Sequence, residues 1–426
     1  MVTGCFRAAC FFHRNFYPVN KLKNILLCAF SITLLFACKT SQITIKPIKV
    51  DSTKAVINFQ QKKVYKFNND QLLFSNNFAS ARLNSIKQQN DSTFNIGIAP
   101  ENEPINPSPW YAFKVWSAKE KNIYITLSYI GTTHRYNPKA RVKEQEWKDI
   151  DDVKISDNKK QASFKIKAFT DTILVAAQEL ISTADNYKWE DSLAKLPFVK
   201  KQNIGHSVLG KAINALSIGE NGNQLIVVLS RQHPPEVTGY MAMQEFIRTV
   251  TSNTLLAKDF RKRFQLLLIP VINPDGVDEG NWRHSVAGVD LNRDWENFIQ
   301  PETQSVRDYL LKKIENEKAK VYFGIDFHST YYDVFYTNED QPLNKTNLPG
   351  FTVKWLNAFS ESIPNFKPNI KPSPNGGNVS KSWMGRVLHA EALTYEVGDD
   401  TPRPLLKLKG KVAAEKMMEL LLAGDK

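Results

Sequence analysis

Residues 225–236 read LIVVLSRQHPPE, and this stretch decides the fold. Its first five residues are apolar without interruption, and Ile226, Val227 and Val228 are β-branched. No polar residue alternates within the run. It therefore predicts a strand covered on both faces, as in a parallel or mixed sheet flanked by helices. The apolar pattern then stops, and Arg231, Gln232, His233, Pro234, Pro235 and Glu236 follow. Ligand sites in open α/β sheets gather at the carboxyl ends of strands. His233 and Glu236, in HxxE spacing on a turn at such an end, can face one metal ion. Zn²⁺ accepts imidazole nitrogen and carboxylate oxygen, and a catalytic zinc takes three protein ligands while keeping one position open. Taken alone, the pair also fits an ordinary polar loop.

Further apolar runs downstream end in chemistry-bearing residues. Residues 265–272, QLLLIPVI, lead into Asn273-Pro274-Asp275-Gly276, a turn signature. Trp282-Arg283 and the segment GVDLNRDW, with Asp290, Asn292 and Arg293, come next. Residues 321–327, VYFGIDF, end at His328-Ser329, and residues 392–397 carry Glu396. Helical periodicity is predicted over 189–196, 236–250, 302–314, 353–359 and 405–422, with another strand over 212–218. Strands alternating with helices predict an α/β domain with a mixed sheet over residues 191–426. The Pro-, Asn- and Gly-rich residues 363–380 predict a long loop. Upstream, residues 110–116 (WYAFKVW), 122–129, 162–168 and 172–177 alternate in polarity between short turns. They predict an all-β sandwich over residues 38–190, with a structural or substrate-presenting role.

The chain has 426 residues and a formal charge of +13, and the first 37 residues hold four bases and no acid. The densest basic cluster beyond them, Arg261-Lys262-Arg263, reads as a solvated helix end, so no nucleic-acid partner is expected. A preference for acidic substrates stays open. All four cysteines lie at or before Cys38, so no disulfide framework holds the folded part. Lys21 and Lys23 precede the apolar residues 24–37, NILLCAFSITLLFA, which are too few to span a membrane comfortably. Leu35-Phe36-Ala37-Cys38 resembles a bacterial lipobox. The resemblance implies removal of residues 1–37 as a signal peptide and lipid attachment at Cys38. The expected location is a bacterial cell-envelope membrane, with the α/β domain outside the cytoplasm. A plain signal peptide or a short anchor is the alternative.

Together HPPE, NPDG, WR, GVDLNRDW, FHS and YEVG resemble the zinc carboxypeptidase family that includes the pancreatic carboxypeptidases, over about residues 190–426. The β domain ahead of them is similar to that of the cytosolic carboxypeptidase branch. The resemblance implies that His233, Glu236 and His328 bind Zn²⁺, with Asp290 orienting one histidine from behind. It implies that Asn292 and Arg293 hold the terminal carboxylate of a peptide substrate, and that Arg283 polarises the scissile carbonyl. Glu396 would be the general base toward a metal-activated water. The residue types suit these tasks. Arginine pairs with a carboxylate through two parallel hydrogen bonds, which lysine cannot copy. A cation near the scissile carbonyl stabilises the charge that develops there. Lys381 falls near the family's selectivity position, where it would favour an acidic terminal residue; a solvated surface lysine is the alternative. His206, His284 and His389 read as structural. Two departures stand out. Pro235 replaces an arginine of the pancreatic relatives, and the active-site tyrosine of the loop before the base has no match, since Tyr395 is the one tyrosine between Phe366 and Glu396. Two other activities stay open: a zinc amidohydrolase or murein-peptide hydrolase, and an inactive zinc-retaining peptide-binding protein.

Overall fold

The computed structural model describes residues 57–69, 71–220, 222–339, 345–373 and 377–424. The expected signal segment, Cys38, and residues 374–376 of the expected long loop lie outside the described residues.

The first part of the chain forms two β-sheets. One runs in the order Val64–Phe67, Leu72–Ser75, Ala112–Ser117, Ile173–Ala176, Lys139–Val142, Lys148–Asp149. The other runs Ser85–Asn90, Thr93–Ile98, Lys121–Tyr129, Gln161–Ala168, Lys154–Ile155. Alternation explains their packing. Ile123, Ile125 and Leu127 are fully buried while Tyr124, between them, is exposed. Phe74 of the first sheet meets Phe94 of the second with ring centroids 5.1 Å apart. The two apolar faces therefore share one core, a sandwich.

The second part is an eight-stranded mixed sheet with helices on both faces. Its order is Val199–His206, Ala212–Ile218, Gln265–Ile269, Gln224–Ser230, Lys320–Thr330, Glu391–Gly398, Val334–Asn338, Ile370–Ser373. The four strands from Gln265–Ile269 to Glu391–Gly398 are mutually parallel. The opening run now has its explanation. Ile226 and Val228 pack under Val237–Val250, Phe351–Glu361 and Arg403–Ala423. Leu225, Val227 and Leu229 pack on the other face, under Pro301–Glu317 and Ser380–Leu388. With both faces covered, no polar residue can alternate into the strand.

Several local expectations shift for identifiable reasons. The strand expected over 265–272 ends at Ile269, because Pro270 cannot donate to the ladder. NPDG, expected as a turn, opens the short helix Pro274–Glu279: Asn273 caps it by accepting from the Gly276 N–H at 2.9 Å, and Pro274 sits in its first turn. Thr183–Leu193 begins earlier than expected because Ser182 and Asp185 form a capping box. The expected loop over 363–380 contains the edge strand Ile370–Ser373. Arg261-Lys262-Arg263 do form a helix end, the last turn of Leu255–Arg263, though Arg261 itself is buried and donates to the Ser252 carbonyl at 2.9 Å. No helix among the described residues is long and apolar enough to cross a membrane.

The two parts share buried surface. Trp282 belongs to the core of the β-sandwich, and its indole N–H donates to the Trp110 carbonyl at 3.1 Å.

Candidate metal centre and cleft

Three neighbouring parallel strands deliver the site. Gln224–Ser230 leads into the turn bearing His233 and Glu236, Lys320–Thr330 carries His328, and Glu391–Gly398 carries Glu396. His328 and Glu396 are direct partners in the parallel register. The helix Val237–Val250 presses onto the His328 strand at Gly239. A Cβ there would stand 2.2 Å from the His328 carbonyl oxygen, so only glycine permits this approach.

One potential ligand atom from each of His233, Glu236 and His328 lies within 4.8 Å of the others. His233 Nδ1 is 2.8 Å from Glu236 Oε1, and His328 Nδ1 is 2.6 Å from Glu236 Oε2. The other nitrogens are held from behind. His233 Nε2 is 2.9 Å from Asp290 Oδ1, and His328 Nε2 is 2.8 Å from Asp326 Oδ2. Carboxylates only accept, so Asp290 and Asp326 suit an N–H on each Nε2, and with a metal at the common point each Nδ1 would offer its lone pair there beside Glu236. Two imidazole lone pairs and one carboxylate form a donor set that zinc accepts. Burial opposes the charge on Glu236, yet His233 and His328 hold it well below the usual carboxylate range. Burial likewise opposes the charge on Asp290, and His233 and Arg283 hold it low.

Asp290 joins two functions. Its second oxygen accepts from Arg283 Nε at 2.7 Å, so a single carboxylate orients both a histidine and an arginine. Arg283, Asn292, Arg293, Lys381 and Glu396 all line one cleft of about 450 Å³ together with His233 and Glu236. Arg293 is exposed and makes no ion pair among the described residues; its Nη1 donates only to the Asn292 carbonyl at 2.7 Å. The Asn292 side-chain oxygen accepts from the Ser380 N–H at 3.0 Å, which ties it to the helix bearing Lys381. Lys381 is buried and donates to Asn338 Oδ1 at 2.8 Å; burial, then Arg386, lowers its pKa to about 8. Among the described residues one oxygen of Glu396, Oε2, has no hydrogen-bond partner, and burial followed by the charge of Glu236 raises its pKa to about 7. Tyr395 points away, stacked on Phe335 at 4.4 Å inside the core. Two other tyrosines, Tyr331 and Tyr336, line the cleft.

Sequence reading missed three residues. Asp326 stands two before His328 on a strand, and period-two geometry puts both on one face; that spacing was the available signal. Asp326 Oδ2 is held by Gln232 Nε2 at 2.6 Å and by the Ser380 hydroxyl. Glu101, from the β-sandwich, is fully buried and accepts from the backbone N–H groups of Trp282, Arg283 and His284 at 2.7, 2.9 and 2.7 Å. It clamps the loop that presents Arg283. Arg135, also from the sandwich, lines the cleft. Nothing in the local sequence marks either residue. His284 has the structural surroundings expected of it, with Nδ1 2.6 Å from Asn102 Oδ1.

Residues 186–357 match the zinc carboxypeptidase family. Mouse (Mus musculus) cytosolic carboxypeptidase 6 is 25% identical over 360 residues, covering 76% of this chain and 66% of the mouse protein. The matches span between 9% and 66% of the length of the curated relatives. Among solved structures, the metallo-carboxypeptidase from Burkholderia cenocepacia superposes with a TM-score of 0.69 at 18% identity, over 83% of this chain and 100% of its own. That of Pseudomonas aeruginosa gives a TM-score of 0.65 at 17% identity, over 82% of this chain and 98% of its own. At those identities the likeness concerns the fold, and its extent reaches beyond the α/β part into the β-sandwich. The chain is thus similar to the zinc carboxypeptidase family over residues 186–357.

Proposed function

We propose that the protein is a zinc metallocarboxypeptidase that releases the C-terminal residue of peptides. The observation that carries this is the convergence of His233, Glu236 and His328 beside Glu396, in a cleft that also holds Arg283 and Arg293. When bound, zinc supplies Lewis acidity to a water and to the scissile carbonyl. Each remaining task falls to a residue of this chain. Arg293, with its fork open, takes the terminal carboxylate through paired hydrogen bonds. Arg283, held by Asp290 through Nε, has both terminal nitrogens without a partner among the described residues and offers them to the developing oxyanion. Glu396 takes a proton from the attacking water and returns it to the leaving amine. Lys381, buried in the cleft wall, favours an acidic terminal side chain.

The test is zinc-loaded protein incubated with a C-terminal peptide library and read by mass spectrometry. Single-residue trimming is expected, and Glu396→Gln should abolish it while keeping the metal. Release of nothing from any peptide, with no effect of Glu396→Gln, would leave only a zinc-holding binding protein. Cleavage confined to non-standard C-termini would instead indicate a murein-peptide hydrolase or amidohydrolase. We also propose export with a lipid anchor at Cys38, on the strength of Leu35-Phe36-Ala37-Cys38. Cys38→Ser should move the protein from the membrane fraction and remove fatty-acid labelling.

A further inference from the structure

Both parts of the chain line the cleft. Lys381 is tied to Asn338 and Arg293 to Asn292, all within the α/β part. Asn106, Ser108 and Arg135, which come from the β-sandwich, line it too. Arg135 is fixed against the metal-binding strands. Its Nε donates to Asp399 Oδ2 at 2.8 Å, three residues beyond Glu396. Its Nη1 donates to Ser108 Oγ at 2.8 Å, and its Nη2 to the carbonyl of Ser329, next to His328, at 3.4 Å. Tyr331 flanks the guanidinium at 4.5 Å and Tyr136 at 5.0 Å, measured to the ring centroids. A guanidinium has five N–H groups. Three are used among the described residues, so two remain for a ligand in the cleft. The geometry is that of a built donor: an immobilised cation, braced by an ion pair and two rings, with part of its fork facing open space.

We propose that the β-sandwich forms the upstream wall of the substrate cleft, and that Arg135 donates to main-chain carbonyl oxygens of the residues preceding the scissile bond. This rests on the carboxypeptidase reading above. With the terminal carboxylate on Arg293 and the terminal side chain toward Lys381, the remainder of the peptide leaves the metal centre on the other side, along Arg135. Backbone carbonyls are acceptors in every peptide, so this contact rewards length rather than sequence. It makes the sandwich part of the substrate-binding surface as well as a scaffold.

The experiment uses N-acylated substrates sharing one C-terminal residue, from a single acylated residue up to several residues, with Arg135→Ala and Arg135→Lys. The lysine variant keeps the charge beside Asp399, so a folded protein is available even where the alanine variant is unstable. For long substrates Arg135→Ala should lower kcat/KM by roughly tenfold, chiefly through KM, the loss expected for one charge-assisted hydrogen bond. The loss should be at least several-fold smaller for the single acylated residue, with Arg135→Lys intermediate. Calorimetric binding of the same peptides to the Glu396→Gln protein should show the same length-dependent loss, independent of turnover. Equal losses for short and long substrates would mean that Arg135 acts through the fold, and no loss for long ones would remove it from the cleft; either overturns the proposal. If no substrate is turned over by any variant, the catalytic reading fails, and the calorimetric series still decides for or against Arg135.

Discussion

Glu101→Gln is the sharpest perturbation the structure offers, because one sandwich carboxylate controls the backbone behind Arg283. Oε1 accepts from the N–H groups of Arg283 and His284, and Oε2 from that of Trp282. Glutamine keeps the shape but replaces one acceptor oxygen with an NH₂ group, which then faces a buried N–H. At least one donor loses its partner, at a cost of about 1–3 kcal/mol. The buried Arg82, whose Nη2 lies 3.9 Å from Oε2, also loses its nearby charge. A total of about 2–4 kcal/mol is expected, lowering Tm by roughly 3–6 °C in a protein of this size. The catalytic effect should pass through Arg283. On peptide substrate, Glu101→Gln should lower kcat/KM by about tenfold, part of the factor of about 100 or more associated with losing an oxyanion donor. In an Arg283→Ala background the same substitution should add less than about twofold, because coupled sites are not additive. Calorimetric melts and steady-state kinetics on the four proteins of this cycle supply the numbers. An equal factor in both backgrounds would refute the reasoning, since Glu101 would then act on the fold as a whole.

Asp326→Asn weakens the hold on His328 and should reduce zinc affinity by roughly 10–100-fold in chelator competition, with little change in far-UV circular dichroism. Gly239→Ala forces a Cβ to within 2.2 Å of a backbone oxygen and should destabilise the protein by about 3 kcal/mol or more, seen as a lower urea midpoint at unchanged slope. Burial first, then the carboxylates of Asp275 and Asp294, raise Glu302 to about 7 from an ordinary 4.5. The folded state therefore binds more protons than the unfolded state between those values, and stability falls as pH rises through them. Glu302→Gln should be no more stable than wild type below that window and about 3 kcal/mol more stable above it; a gain that does not vary with pH would contradict this. Lys381 is charged below about 8. The preference for a terminal Glu over Leu should therefore fade as pH rises through that value and vanish in Lys381→Met, and a flat ratio would remove Lys381 from the pocket.

Much of the architecture was legible because it rests on short-range periodicity. The run 225–229 is apolar on both faces, and the sheet is covered on both faces. Residues 122–129 alternate, and one face of that strand is buried. Both patterns report burial directly, since they follow from the geometry of a strand. Proline and capping chemistry shifted the boundaries at Ile269 and Ser182, where a single backbone group outweighs a periodic trend. Strand ends also marked where polar chemistry would collect, which is how His233, Glu236, His328 and Glu396 were selected together. Their mutual distances were beyond any local pattern. So was the choice of Nδ1 over Nε2, which depends on Asp290 and Asp326 standing behind the rings. Glu101 and Arg135 lie 183 and 264 positions from the groups they bind, His284 in the first case and Asp399 in the second. Sequence alone determined the layers and which strand ends carry the chemical residues. Only the tertiary structure brought the sandwich into the cleft, because packing between distant segments is set by the summed fit of two surfaces and leaves no periodic trace in either one.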